Sequence, residues 1–195
     1  MSEGHEGFEP EATTTYLLID GENLDATLGN RILGRRPAPE ERPRWDRAVS
    51  FVERQWGTAV KPLFFINASS GTFSMPFVQA LMALGLRPVL LSGPPDVKVV
   101  DAGLQRTMEA IADRVGDVVL GSHDGDFLPQ VQELMAAGRR VGVLAFREFV
   151  NTGYLDLLPE GLEIFDLEDE AKAFNHPLPR IRIIDLADFD PVTLL

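Results

Sequence analysis

The sequence predicts an α/β protein, a three-layer α/β/α sandwich built on a largely parallel central sheet. Short apolar runs alternate with longer segments in which apolar residues recur at helical spacing. Strands that are apolar on both faces are typical of a parallel sheet covered by helices on both sides. In addition, polar or acidic side chains follow several of these runs, where the ligand-binding edge of such a sheet would lie.

Six apolar runs are predicted to be the strands of this sheet, because they are short and bounded by turn residues. The last of them has the pattern of a half-buried strand, and a further candidate strand follows it in the C-terminal region. In chain order these runs are Thr15–Ile19, Leu63–Ile66, Pro88–Leu91, Val118–Leu120, Arg140–Phe146, Leu162–Leu167 and the additional candidate Arg180–Ile184.

Four amphipathic helices are predicted between the strands. Glycines at 57, 85 and 138 are expected to end three of them. The two tryptophans are predicted to be core residues and not platforms for base stacking. The apolar positions are Trp45, Val49, Val52 and Trp56; Phe73, Phe77, Leu81 and Leu84; Leu104, Met108 and Ile111; and Phe127, Val131, Leu134 and Met135.

Composition narrows the class of protein. The chain of 195 residues fits one domain, and the absence of cysteine excludes disulfides, thiolate metal sites and cysteine nucleophiles. A net charge of −12 argues against a broadly basic surface that coats nucleic acid, although it leaves room for a local basic patch. No apolar run approaches the roughly 18 residues of a membrane span, so we expect a cytoplasmic protein with no membrane contact.

Three regions are predicted along the chain. Residues 1–14 are acidic and without periodicity, as in a disordered tail, and residues 15–167 carry the alternating strands and helices. Residues 168–195 form an acidic C-terminal extension interrupted by prolines, which could mediate self-association or bind a protein partner.

Four aspartates are the candidate metal ligands. Asp20 follows the first strand, Asp124 and Asp126 follow the fourth, and Asp101 lies at the start of a helix whose preceding loop can return to the same edge. Each has an ordinary explanation as a turn or helix-capping residue. Their convergence on one edge instead favours a site for Mg²⁺ or Mn²⁺, which prefer carboxylate oxygens and serve phosphoryl transfer.

Other polar residues near these acids are predicted to orient them. Asn23 and Ser122 are expected to hold the ligands in place, and Asn151 and Thr152 lie past the fifth strand, where they could add polar contacts or cap a loop. His123 stands beside the acids, and a lone histidine in such a place is more often a turn residue with satisfied hydrogen bonds than a catalyst.

An arginine-rich segment follows Asn23 and is the candidate site for a polyanion. Arg31, Arg35 and Arg36 belong to a group of six arginines between residues 31 and 47, and guanidinium groups match phosphate oxygens. The alternative is that Glu40, Glu41 and Asp46 neutralise this group in surface ion pairs.

Three motifs resemble the signatures of the NYN domain, a PIN-like group that includes the LabA-type bacterial proteins. They are Ile19–Leu24 (IDGENL), Lys98–Leu104 (KVVDAGL) and Gly121–Phe127 (GSHDGDF), in the family's order. The resemblance spans about Tyr16 to Leu167. It implies a PIN-like fold and a metal-dependent ribonuclease whose acidic site falls on Asp20, Asp101, Asp124 and Asp126. His123 departs from the family pattern, which has a small residue there.

The resulting functional prediction is an endoribonuclease that needs Mg²⁺ or Mn²⁺ and cleaves single-stranded or structured RNA. Arg31, Arg35, Arg36 and Lys98 are its predicted RNA contacts. A second hypothesis is a catalytically weak or inactive regulator that keeps the fold and binds RNA or protein. A third is a haloacid-dehalogenase-like phosphatase with Asp20 as nucleophile, although Glu22 is an imperfect match to the second acid that this chemistry needs.

Overall fold

The computed structural model describes residues 13–180, 186 and 189–194. Six strands form one parallel sheet in the order β3-β2-β1-β4-β5-β6. Helices cover both faces, which confirms the predicted three-layer α/β/α architecture. The strands are β1 (Thr15–Asp20), β2 (Val60–Asn67), β3 (Arg87–Leu91), β4 (Asp117–Gly121), β5 (Val141–Ala145) and β6 (Glu163–Asp166).

The central strands are buried on both faces because alternate side chains enter two different cores. In β1, Leu17 and Ile19 pack into one core and Leu18 into the other, and all three are fully buried. This accounts for the unbroken apolar runs of the sequence, since a strand with one solvated face would alternate apolar and polar residues.

Helices α1 (Gly21–Thr27), α2 (Trp45–Trp56) and α3 (Met75–Ala83) pack on one face of the sheet. Helices α4 (Val99–Ala112), α5 (Leu128–Ala136) and α6 (Thr152–Asp156) pack on the other. Both tryptophans lie in the first core, as predicted, and Trp45 contacts the Phe64 ring edge-on. Helices α1 and α6, the two shortest α-helices, were not predicted from the sequence.

The predicted apolar face of the third helix is partly wrong. α3 begins at Met75, after the Ser74 hydroxyl accepts the N–H of Phe77, so Phe73 precedes the helix and is exposed. Val78 and Leu81 are its buried residues, whereas Met82 and Leu84 face solvent. The helix is apolar nearly all round, which removes the contrast between faces that a periodicity argument needs.

Part of the C-terminal extension packs onto the domain. Ala171 and Ala173 belong to the first core, and the Arg47 guanidinium donates to the carbonyls of Lys172 and Phe174. Among residues of the candidate strand at 180–184, only Arg180 is described, and it is not in a strand. The rest of that strand lies outside the described residues, as does the predicted tail apart from Thr13 and Thr14.

The strand order creates one crevice. The chain proceeds outward from β1 through β2 to β3, and the later strands extend the sheet from β4 in the opposite direction. The carboxyl ends of β1 and β4 therefore flank the point where the order reverses, which is where open α/β sheets bind ligands. Within the described part of the chain, no helix has both the length and the apolar character needed to cross a bilayer.

Candidate metal centre

Two cavities lie at the carboxyl edge of the sheet. The first, which we call the acidic crevice, has a volume of about 390 Å³ and includes Asp20, Glu22, Asn67, Asp96, Asp101 and Asp124 in its lining. The second, which we call the arginine cavity, has a volume of about 1020 Å³ and includes Arg31, Arg147, Phe149, Asp166, Glu170 and Arg180. The first lies at the ends of β1 and β4, and the second beyond β5 and β6.

Three of the four predicted metal ligands come together beside the acidic crevice. Asp101, in the first turn of α4, and Asp124 and Asp126, in the turn after β4, each offer a carboxylate oxygen, and these oxygens lie within 4.8 Å of one another. Like charges this close raise the free energy of the site unless a cation compensates them. The oxygen donors match the preference of Mg²⁺ and Mn²⁺.

Lys98 supplies a compensating cation. Its ammonium nitrogen lies 3.2 Å from a carboxylate oxygen of Asp101 and 3.1 Å from one of Asp126. These contacts raise the pKa of Lys98. The Lys98 side chain is 70% exposed and can therefore move away from the carboxylates. In this structure, Lys98, which was predicted to contact RNA, lies among the clustered acids.

Asp20 lies behind the cluster and is not one of the three grouped acids. It is 3% exposed, and its two carboxylate oxygens accept the Asn23 N–H at 3.1 Å and the Ser122 hydroxyl at 3.1 Å. Burial nevertheless raises the pKa of Asp20 to about 6, and the negative charge of Asp101 adds to the increase. Asp20 therefore carries an unfavourable buried charge that a nearby cation would stabilise.

Ser122 links Asp20 to Asp124. The Ser122 hydroxyl donates to Asp20 and accepts the backbone N–H of Asp124 at 3.2 Å. The Tyr154 hydroxyl donates to the Asp124 carbonyl at 2.6 Å, and Asp124 itself accepts the N–H of Asp126 at 2.9 Å. These four contacts fix the turn that presents the two acids. Tyr154 was not predicted from the sequence, because its helix, α6, is too short to show periodicity.

His123 is a buried structural residue. Its Nε2 accepts the backbone N–H of Phe146 at 2.9 Å, so the ring proton of the neutral form is on Nδ1 and is donated to the Asn23 side-chain oxygen at 2.9 Å. The same oxygen accepts the His123 backbone N–H. Burial lowers the pKa of His123 to about 4, and the charge of Arg180 acts in the same direction. Asn23 thus joins α1 to the end of β4 through His123.

The loop after β5 contacts the site through Asn151. This side chain accepts the Gly153 N–H and caps α6. It also packs against Gly125, where a Cβ atom would lie 2.4 Å from the Asn151 amide nitrogen. Any larger residue at 125 would require the Asn151 side chain or the turn between the two acids to shift. Thr152 is an exposed first residue of α6 and is not part of the acid cluster.

Three polar residues of the acidic crevice were not among the predicted site residues. Asn67 ends β2, and the strand-end rule that identified Asp20 applies to it equally. Asp96 lies in the loop before α4, and its sequence surroundings carry no distinguishing signal. Glu22 lies in α1, and partial burial raises its pKa, with the charge of Asp101 contributing. The crevice is therefore more negatively charged than the predicted aspartates alone would make it.

The predicted arginine contacts differ in how they are paired. Both terminal nitrogens of Arg35 donate to the Glu41 carboxylate, at 2.7 and 2.6 Å, and Arg44 pairs with Asp46. For these two residues the structure matches the surface ion-pair alternative. Arg31 and Arg36 are exposed and, within the described residues, form no ion pair. Arg31 lines the arginine cavity.

Comparisons with known proteins add the fold alone. No protein-family model and no curated protein matches the chain. A similar solved structure is a protein of unknown function from Vibrio parahaemolyticus, with a TM-score of 0.64 and 18% identity. The match covers 83% of this chain and 97% of that one. At this identity the likeness concerns architecture, so the resemblance to the NYN domain remains a prediction from the three motifs.

Proposed function

We propose that the protein is an endoribonuclease that requires Mg²⁺ or Mn²⁺ and cleaves RNA at the acidic crevice. The observation that carries this proposal is the group of three carboxylates, Asp101, Asp124 and Asp126, at the switch point of a parallel sheet. The donor set fits a hard divalent cation, and the position of the Lys98 ammonium is in keeping with a cluster that takes a positive charge.

The residues around the cluster have separable roles in this proposal. Asp101, Asp124 and Asp126 would hold the ion, and Asp20 would stabilise it from behind while orienting Asp124 through Ser122. A bound ion would offset the charge of the scissile phosphate and activate the attacking water. Lys98, once released from the carboxylates, lies at the mouth of the crevice, where its charge favours a phosphate.

The decisive experiment compares RNA cleavage by matched aspartate variants in Mn²⁺. We expect Asp124→Asn to lower the cleavage rate at least 100-fold, because a neutral amide is a poor ligand for these ions. Asp113→Asn, an exposed residue at the far end of α4, should retain the rate of the unchanged protein. Equal rates for Asp124→Asn and the unchanged protein would refute the proposal.

A second candidate function is an RNA- or protein-binding regulator without catalysis. Lys98 favours it, because its ammonium already compensates two of the three acids without any ion. Under this hypothesis, the pure protein binds its partner without cleaving RNA in Mn²⁺, and removal of Lys98 does not produce cleavage.

A further inference from the structure

The arginine cavity is larger than the acidic crevice, and the proposed chemistry does not use it. It opens on the same edge of the sheet, beside the ends of β5 and β6. Its volume of about 1020 Å³ lies just above the range of roughly 300–1,000 Å³ for sites that bind a small organic ligand.

Most charges around this cavity are compensated by fixed partners. Arg147 donates to Glu170 at 2.5 Å and to the Ile164 carbonyl at 2.9 Å, and Arg180 forms ion pairs with Glu148 and Glu168. The Asp166 carboxylate accepts the backbone N–H groups of residues 147, 168 and 169. Since these carboxylates would repel a phosphate and their partners are already engaged, the interior suits an uncharged ligand.

Among the described residues that line the cavity, the remaining groups include an apolar wall and an exposed cation. Ile32 and the half-buried Phe149 supply apolar surface, and the guanidinium of Arg31 is exposed in the π-helical stretch Leu28–Leu33 that follows α1. A flat heterocycle attached to a phosphate backbone matches both the apolar wall and the cation. Its ring packs on apolar and aromatic side chains, and its phosphate pairs with the arginine.

One ring contact connects the cavity to the residue next to the acid cluster. The rings of Phe149 and His123 meet edge to face, with their centroids 6.2 Å apart, and the residue after His123 is Asp124. An RNA strand with one phosphate at the acids and its chain running towards β5 would therefore bring another of its nucleotides to the opening beside Phe149.

From this geometry we propose that the arginine cavity binds one nucleobase of the RNA strand whose phosphodiester lies at the acidic crevice. Phe149 packs against the base, and Arg31 contacts the neighbouring phosphate. This inference rests on the proposed function, since it takes RNA to be the ligand of the crevice. Under this inference, the arginine cavity helps to determine the position along an RNA strand at which the enzyme binds.

The test uses fluorescently labelled single-stranded RNA of roughly 12 nucleotides, in which each position in turn carries a ribose without a base. The protein carries Asp101→Asn and Asp124→Asn and is assayed in EDTA, so that RNA is not cleaved and two repelling charges are absent. We expect loss of the base at one position, or at two adjacent positions, to weaken binding about 10-fold. Phe149→Leu in this background should weaken binding of intact RNA similarly and abolish the sensitivity to base loss.

Two matched controls separate the cavity from general effects. Phe73→Leu makes the same change at an exposed phenylalanine outside the cavity and should leave affinity unchanged. Arg31→Gln should weaken binding about fivefold and flatten its salt dependence, whereas Arg87→Gln, at the opposite edge of the sheet, should not.

The outcomes distinguish this inference from the proposed function. Cleavage in Mn²⁺ by the unchanged protein, with binding insensitive to Phe149→Leu and to base loss, overturns the inference and leaves the nuclease proposal standing. Base-dependent binding that Phe149→Leu abolishes, without cleavage, supports the cavity and overturns the nuclease. Absence of both RNA binding and cleavage overturns both.

Discussion

The acidic crevice and the arginine cavity occupy the same edge of one sheet and differ in how fully their charges are compensated. In the crevice, a single exposed lysine contacts two of three clustered carboxylates, and Asp20 is buried behind them with a raised pKa. In the cavity, Asp166 is equally buried at a strand end but accepts three backbone N–H groups. Similar residues thus form a strained site in one place and a stable network in the other.

The difference indicates which cavity is built for a charged ligand. A cluster that is only partly compensated costs free energy in the folded protein, and an arriving cation recovers part of that cost as binding energy. A compensated network gains nothing from an ion. We therefore expect ion binding at the crevice alone, and the following predictions test this contrast in order of expected effect.

The largest effect should be on ion binding. Asp101→Asn combined with Asp124→Asn removes two of the three grouped oxygens, and we expect the Mn²⁺ dissociation constant from calorimetry to rise about 100-fold. Glu170→Gln, which removes a carboxylate from the arginine cavity, should change it less than twofold. A large effect of Glu170→Gln would break the contrast.

Stability should respond in opposite directions at the two buried aspartates. We expect Asp166→Asn to lower the free energy of unfolding by about 2–3 kcal/mol, because the acceptor of three N–H groups loses its charge. We expect Asp20→Asn to raise it by about 1–2 kcal/mol at pH 8, because it removes a charge whose pKa folding raises from 3.8 to about 6. Urea denaturation in EDTA measures both.

The contribution of Asp20 to the free energy of unfolding depends on pH, because folding raises the pKa of this residue. The folded protein holds this proton more tightly than the unfolded chain, so Asp20 makes stability fall as the pH rises through roughly 4–6. His123, with its pKa lowered to about 4, makes stability fall as the pH drops from 6.5 towards 4. Asp20→Asn should therefore lose stability on acidification more steeply than the unchanged protein. A gain of equal size at pH 4 and pH 8 would contradict this account.

A smaller effect should follow from removing the lysine that contacts the cluster. Since an ion must displace its ammonium from Asp101 and Asp126, we expect Lys98→Met to tighten Mn²⁺ binding about fivefold, or about 1 kcal/mol. Arg106→Met removes another exposed positive charge from α4 and controls for general electrostatics. Equal tightening by both variants would show that Lys98 does not occupy the site.

The smallest effect should come from Arg35. Its guanidinium is held by Glu41 at the surface, so we expect Arg35→Ala to change RNA affinity less than twofold and to leave its salt dependence unchanged. Arg36, which has no such partner among the described residues, should contribute more. Fluorescence anisotropy across a salt series compares the two variants, and a larger loss for Arg35→Ala would show that Glu41 releases it on binding.

The sequence was most informative where a property is local. A buried strand and the acid that follows it are adjacent in the chain, so β1 with Asp20 and β4 with Asp124 could be predicted together. Parallel pairing then brings their ends to one edge without any knowledge of side-chain contacts. Gly21, within the first motif, is required for a contact that the sequence does not show: a Cβ atom there would lie 2.3 Å from the Phe64 ring.

The rest depended on contacts between residues distant in the chain. Lys98 was assigned to RNA because nothing in the sequence shows that its ammonium lies between Asp101 and Asp126. The pairing of Arg35 with Glu41 depends on the turn at Gly34 and the short helix Pro39–Glu41. His123 could not be placed until the Phe146 N–H and the Asn23 side chain were known to meet its ring.

The central position of β1 in the sheet also constrains how the chain folds. Thr15 lies opposite Val60 on one side and Asp117 on the other, and Asp20 meets Ser122 across 102 residues of sequence. Such separations give a high contact order, which slows folding because long loops must close before these contacts form. During synthesis, β1 leaves the ribosome before β4 and pairs with it only later. Asp20 is therefore synthesised early, whereas its contact with Ser122 forms only after β4 has been made.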